Sequence, residues 1–340
     1  MESGRASGHA LPPWQTQYTQ DTAMSDQTRI PLLSKDAPLS PPDAAAQVQD
    51  AALRKMYEDV NPAVVQLKTD KGTGSGFFIN DHGEILTAAH VVLNARETFA
   101  VTMNGKAYRA RIVDISDTTD LARLQLEEFD GSKQPYLKLA DDSKMAPDQP
   151  VYSIGYPKGL STAYLSPGDY NAHVTIYDLV DKNAIAAKFK SANSLEKDNW
   201  LKALSGKVIE GDVHVERGNS GGPLLNSEGK VIGVADIASR DGVSISYYRP
   251  VEDVRSFLKQ EREKPFTITY THVRSAPGTF CIAGLPPLQG EPAAPPKAPQ
   301  DVSCPARDRL VLEEIRRNDG LLVPPFDWSS VTFRPSKSPK

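Results

Sequence analysis

A serine acts as a nucleophile when its hydroxyl stands on a tight turn beside a base, with backbone N–H groups near the developing oxyanion. The segment GNSGGP (218–223) offers such a residue, Ser220, between small neighbours that let the backbone approach a scissile carbonyl. The amides of Gly218 and Ser220 can converge on the oxyanion there. TAAHVV (87–92) supplies His90 directly after the apolar run EILTA, with alanines that leave the imidazole room to face a cleft. The five other histidines, at 9, 82, 173, 214 and 272, lack that setting. DTTDLARLQL (117–126) supplies Asp120 at a strand start, 30 residues after His90 and 100 before Ser220. Buried beside the imidazole, its carboxylate would accept the Nδ1 proton, fix the tautomer and stabilise the imidazolium. Taken singly, these segments also read as a Gly-rich turn, a surface histidine and a strand-capping aspartate. In the order His90, Asp120, Ser220 they point to acyl transfer.

The elements that must position these residues are short β-rich runs. AVVQLKT (63–69), SGFFIN (75–80), EILTA (84–88), TFAVTM (98–103) and AYRARIVDI (107–115) come first. LARLQL (121–126), PVYSIG (150–155), HVTIYDL (173–179), PLLN after the Gly-rich turn, KVIGVADIA (230–238) and VSISYY (243–248) come later. Many short strands separated by Gly and Asp/Asn turns predict an all-β barrel or sandwich, not βαβ repeats. A helix is expected over about 43–59, and another over about 250–263 with Val251, Val254 and Leu258 on one face. Residues 1–42 read as a disordered leader, 43–263 as the catalytic domain, and 264–340 as a Pro-rich linker and tail. Thirteen of the 27 prolines fall in that last stretch, where a short helix over about 308–318 is also expected.

The composition narrows the chemistry. A net charge of −4, with no basic run, argues against nucleic-acid binding. Cys281 and Cys304 fit a pair or two free thiols equally and lack metal-ligand spacing, so neither metal nor cofactor is expected. GTGSG (72–76) resembles a nucleotide loop but leads into a strand, FFIN, where phosphate binding needs a helix. No basic-then-apolar leader or long apolar run is visible, so the chain reads as soluble without an export signal. That favours the cytoplasm and leaves the compartment open.

GNSGG also satisfies the G-x-S-x-G elbow of α/β-hydrolases, whose Asp/Glu and His follow the serine. Only His272 lies downstream of Ser220, so chain order makes the esterase reading weak. GTGSGFFINDHGEILTAAHVV, RIVDISDTTDLARLQL and ERGNSGGPLLN together resemble the trypsin-like domain of the HtrA (Deg) protease family. The resemblance extends over roughly 57–258. It implies a chymotrypsin-like fold of two antiparallel six-stranded β-barrels with His90, Asp120 and Ser220 at their junction, and a serine endopeptidase acting on proteins or peptides. Asn219 stands where pancreatic-type relatives carry an aspartate that pairs with a new N-terminus, so activation by N-terminal cleavage is not expected. Family members usually carry PDZ domains; none is expected within 265–340. Relatives often form trimers, but no motif here demands one.

The stretch between Gly159 and Gly218 is longer and more charged than the family usually shows. His214, Val215 and Glu216 fall where the primary specificity pocket is expected, with Tyr247 on its far wall. An alternative to catalysis is a protein-interaction module that keeps the fold and uses its Pro-rich tails as ligands.

Overall fold

A computed structural model describes residues 44–93, 95–116, 118–129, 133–238, 245–260, 266–274 and 308–317. The expected leader, 1–42, and most of the Pro-rich stretch lie outside these residues. Helix α1 (Ala44–Val60) leads into a 3-10 turn at Asn61–Ala63 and then into the first barrel. That barrel comprises β1 (Val64–Thr69), β2 (Thr73–Phe78), β3 (Glu84–Ala88), β4 (Thr98–Val101), β5 (Ala107–Ile115) and β6 (Leu121–Leu126). The one-turn helix α2 (Ala89–Val92) follows β3. All pairs are antiparallel, in the order β1-β2-β3-β6-β5-β4, and β4 closes on β1 through Gln66↔Val101 to Thr69↔Thr98.

The second barrel comprises β7 (Pro150–Gly155), β8 (Tyr164–Thr175), β9 (Lys207–Val213), β10 (Pro223–Leu225), β11 (Val231–Ala238) and β12 (Ser246–Pro250). Its order, β7-β8-β9-β12-β11-β10, repeats that of the first barrel strand for strand, and β10 closes on β7. The repeat is topological and has no counterpart at the level of residue identity.

Strands β1, β2 and β3 are buried on nearly every residue, whereas β5 and β6 alternate more exposed positions such as Arg109, Arg111, Arg123 and Gln125 with buried ones. Val65, Leu67, Phe78, Ile85 and Leu124 fill the first barrel. Their neighbours Val64, Phe77, Leu86 and Leu121 point the other way. There they pack with Ile154, Tyr156, Leu225 and Val234 of the second barrel and with Val254 and Phe257 of α6 (Val251–Gln260). This shared core fixes one barrel against the other.

The charged stretch 159–218 is largely ordered. After β8 come α3 (Ile176–Leu179), α4 (Lys182–Ser191) and α5 (Ser194–Ser205). Asp181 caps α4 by accepting from the N–H groups of Asn183 and Ala184, and Asn193 with Glu196 forms a reciprocal capping box on α5. The helices lay Ile185, Ala203 and Leu204 over Val208 and Tyr247, and Phe189 meets Trp200 edge-on at 5.6 Å.

Two expectations change. The strand expected over 173–179 ends at Thr175, where β8 gives way to α3. The short helix expected over 308–318 is a strand, β14 (Asp308–Arg317), paired antiparallel with β13 (Phe266–Arg274). Val311 and Ile315 satisfy a helical i, i+4 spacing, but FTITYTHVR is rich in β-branched and aromatic residues and offers a partner edge. Pairing decides where local spacing is ambiguous. Among the described residues no helix is long and apolar enough to cross a membrane.

Candidate active site

The register of β3 against β6 brings His90 and Asp120 together. Ala88 pairs with Leu121, so the next residue on one strand faces the previous residue on the other. The N–H of Ala89 donates to the Asp120 carbonyl at 2.8 Å, and the N–H of His90 donates to Asp120 Oδ1 at 2.9 Å. The ring Nδ1 of His90 meets Asp120 Oδ2 at 2.5 Å. A carboxylate only accepts, so Nδ1 carries the proton and Nε2 carries the lone pair of the neutral ring. The Asp120 side chain is 2% exposed and that of His90 40%, so one edge of the ring faces solvent while its partner is sealed. Asp120 holds a φ of 54°, a left-handed conformation that aspartate tolerates better than most side chains.

The GNSGG turn reaches the same strand end from the second barrel. Gly221, at φ +83°, lies so close to Thr87 and Ala88 that a Cβ there would collide with Thr87 Oγ1, the Ser75 carbonyl and the Ala88 nitrogen. Its N–H donates to the Ala235 carbonyl at 2.8 Å. The turn therefore abuts the residues just before His90, and Ser220 is partly exposed beside them.

The amides expected to serve an oxyanion lie at a second turn. Asn219 N–H donates to the Glu216 carbonyl at 3.0 Å, and Gly218 has a φ of +103°, the pattern of a type II turn with glycine in third place. The Arg217 carbonyl accepts from Lys158 N–H at 2.6 Å. Because carbonyl and amide oppose each other across a trans peptide, Gly218 N–H points away from Lys158.

Ser75, in the middle of β2, was missed as a site residue although GTGSG drew attention to its surroundings. It is fully buried and braces both barrels. Its N–H donates to the Ser220 carbonyl at 2.8 Å, and its Oγ donates to the Gly218 carbonyl at 2.7 Å while accepting from Tyr156 N–H at 2.9 Å. Ser75→Ala leaves that N–H and that C=O unpaired, at about 1–3 kcal/mol for each. We expect a lower Tm and a loosened serine turn, checked by thermal melting and by the rate of active-site labelling.

Two further residues, Asp236 and Arg249, also escaped the sequence reading. Asp236 sits in an otherwise apolar strand and Arg249 in a short strand buried at every residue, and a buried charge in such a run is itself the signal that could have found them. Arg249 Nη2 donates to Asp236 Oδ2 at 2.6 Å with both side chains buried, and Arg249 Nη1 lies 3.7 Å from Asp253 Oδ2. One nitrogen of His90 and one oxygen each of Asp120 and Asp236 lie within 4.8 Å of one another. Burial pushes the Asp236 carboxyl well above the usual range; Arg249 and His90 oppose this and the Asp120 charge adds to it. The three side chains have donors suited to a cation, and the Arg249 guanidinium already partners Asp236.

The residues expected at the specificity pocket divide. Glu216 Oε1 takes Lys158 Nζ at 2.8 Å and His214 Nε2 at 3.5 Å, which holds its carboxyl below the usual range. Val215 is half-buried between them in the chain. Tyr247 is fully buried in the cluster of Ile176, Leu179 and Val208, and a substrate side chain reaches it only if that packing opens.

Two closed antiparallel barrels, with a serine turn from one set against a His–Asp pair from the other, define a chymotrypsin-like fold. Residues 74–234 match the family model described as a trypsin-like peptidase domain. Serine protease HTRA1 of Xenopus tropicalis is 28% identical over 224 residues, covering 62% of this chain and 43% of that protein. Mitochondrial serine protease HTRA2 of Drosophila pseudoobscura pseudoobscura is 31% identical over 193 residues, covering 56% and 39%. A crystal structure of Rv3671c from M. tuberculosis H37Rv, a mutant in an inactive form, superposes with a TM-score of 0.51 at 22% identity. It covers 66% of this chain and 97% of that one, a likeness of fold. Residues 74–234 thus match a trypsin-like peptidase domain, and the chain is similar to serine proteases of the HtrA family. The chain spans less than half the length of these curated relatives.

Proposed function

We propose that the chain is a serine endopeptidase that hydrolyses peptide bonds in proteins through an acyl-enzyme. His90 Nε2 takes the Ser220 hydroxyl proton as Oγ bonds to the scissile carbonyl carbon. The carbonyl oxygen becomes an oxyanion held by the amides of Gly218 and Ser220. The C–N bond then breaks, and His90 returns the proton to the leaving amine. Water repeats the sequence on the ester, with His90 again the base. Asp120 keeps the imidazole in the Nδ1–H tautomer throughout. His214, Val215 and Glu216 border the pocket for the residue preceding the cut.

The observation that carries this reading is the imidazole fixed through Nδ1 on a buried carboxylate, at the strand end where the serine turn lands. Incubation with a casein-type protein is the test, with new peptide termini read by mass spectrometry. Discrete internal cleavages are expected, and their flanking residues report the pocket. Turnover of simple esters with no peptide cleavage overturns the reading in favour of an esterase. Partner binding with neither turnover favours an interaction module.

A further inference from the structure

We propose that Asp236, anchored by Arg249, is a positioning residue that orients Asp120 and biases the proton affinity of His90. This inference rests on the proteolytic reading above.

Four charged groups lie in sequence through the junction of the barrels. His90 comes from α2, Asp120 from the residue before β6, Asp236 from β11 and Arg249 from β12. Asp253, on α6, stands at the outer end against Arg249. The side chains of Asp120, Asp236 and Arg249 are all at most 2% exposed, so water screens their mutual interactions little. A second carboxylate placed beside Asp120 in such a medium is costly unless its charge is matched. Arg249 matches it. The pairing Arg249–Asp236 and the pairing imidazolium–Asp120 then sum to no net charge at the moment the base holds the serine proton.

Changing either member of the Asp236–Arg249 pair must therefore alter the field at His90. Asp236→Asn preserves shape and leaves the guanidinium, among the described residues, with the partly exposed Asp253 as its remaining ion-pair partner. A positive charge so placed disfavours the imidazolium. Arg249→Gln withdraws that charge and leaves two carboxylates, or one and a shared proton, behind His90. Both of those conditions favour the imidazolium. A purely structural ion pair would lower stability in both variants without separating their titrations.

The second-order rate constant for fluorophosphonate labelling of the full chain, followed against pH, reads this directly and needs no known substrate. Labelling rises as His90 loses its proton, so the profile has an acid limb. We expect the limb of Asp236→Asn to lie below that of Arg249→Gln by about one pH unit. The double variant Asp236→Asn/Arg249→Gln falls above the single Asp236→Asn. Where Asp236→Asn does not fold, Asp236→Ser, which leaves room for water beside the guanidinium, takes its place; where Arg249→Gln does not fold, the double variant does. Coinciding limbs in folded variants overturn the inference while leaving the protease reading intact. Equal labelling of the wild type and Ser220→Ala sinks the protease reading itself.

Discussion

Replacing Ser220 with alanine is expected to abolish fluorophosphonate labelling and to lower kcat on a casein-type substrate on the order of a million-fold. The substitution removes the atom that forms the covalent bond and nothing that holds the turn. The contacts of that turn run through main-chain atoms: Ser220 C=O to Ser75 N–H, Gly221 N–H to Ala235 C=O, and Gly218 C=O to Ser75 Oγ. The Tm should therefore stay close to that of the parent protein, which separates lost chemistry from lost fold. Residual turnover, if detectable, reports the Gly218 and Ser220 amides acting on a bound peptide with water as nucleophile. Labelling that survives at full stoichiometry would place the nucleophile elsewhere.

The second large effect is expected from Asp120→Asn, a fall in kcat of about ten-thousand-fold near neutral pH. The oxygen of the introduced amide can still accept from the His90 backbone N–H, so the local main-chain arrangement survives. The NH2 group of that amide, however, donates toward Nδ1 and drives the ring proton onto Nε2, the atom that must accept from Ser220. The imidazolium also loses its counter-charge. Stability moves differently. The buried Asp236 carboxyl is pushed up in part by Asp120, so removing that charge eases its ionisation. A carboxyl raised in the folded state contributes stability that is present below its unfolded value and is lost as pH rises through its folded value. In Asp120→Asn that loss should be smaller, so thermal stability falls less between mildly acidic and neutral pH than in the parent. Parallel melting curves across pH check this, and an unchanged slope would remove Asp120 as a cause of the Asp236 shift.

The chemistry-bearing segments were legible because each one couples a special residue to a strand with clear punctuation. The spacing of His90 and Asp120 is closed by one antiparallel pair, β3 with β6, the one a mostly apolar run and the other a regular alternation. The second barrel was harder to read. β8 runs through YLSPGDYNAHVT, where Pro167, Gly168 and Asp169 look like a turn yet pair with β7, the last two also with β9, and Asn171 is passed over at a bulge between Tyr170 and Ala172. β9 was hidden between the charged helices α4 and α5 and the serine turn. Ser75 and Asp236 matter through approaches across barrels, and Arg249 through its pairing with Asp236, none of which a local window of sequence contains. The strand order shared by the two barrels was invisible for a related reason. Topology is kept by pairing edges and burial, and many different residues satisfy both.

The sharing of one site between two barrels also bears on biosynthesis. His90 and Asp120 lie in the first barrel to leave the ribosome, whereas the serine turn and the Asp236–Arg249 pair belong to the second. At about 5–20 residues per second, several seconds separate completion of β6 from the appearance of Ser220. Ser75 meets the turn only once the two barrels have come together. A nascent chain therefore has no assembled site until its last barrel strand has docked, and the delay is written into the order of its segments.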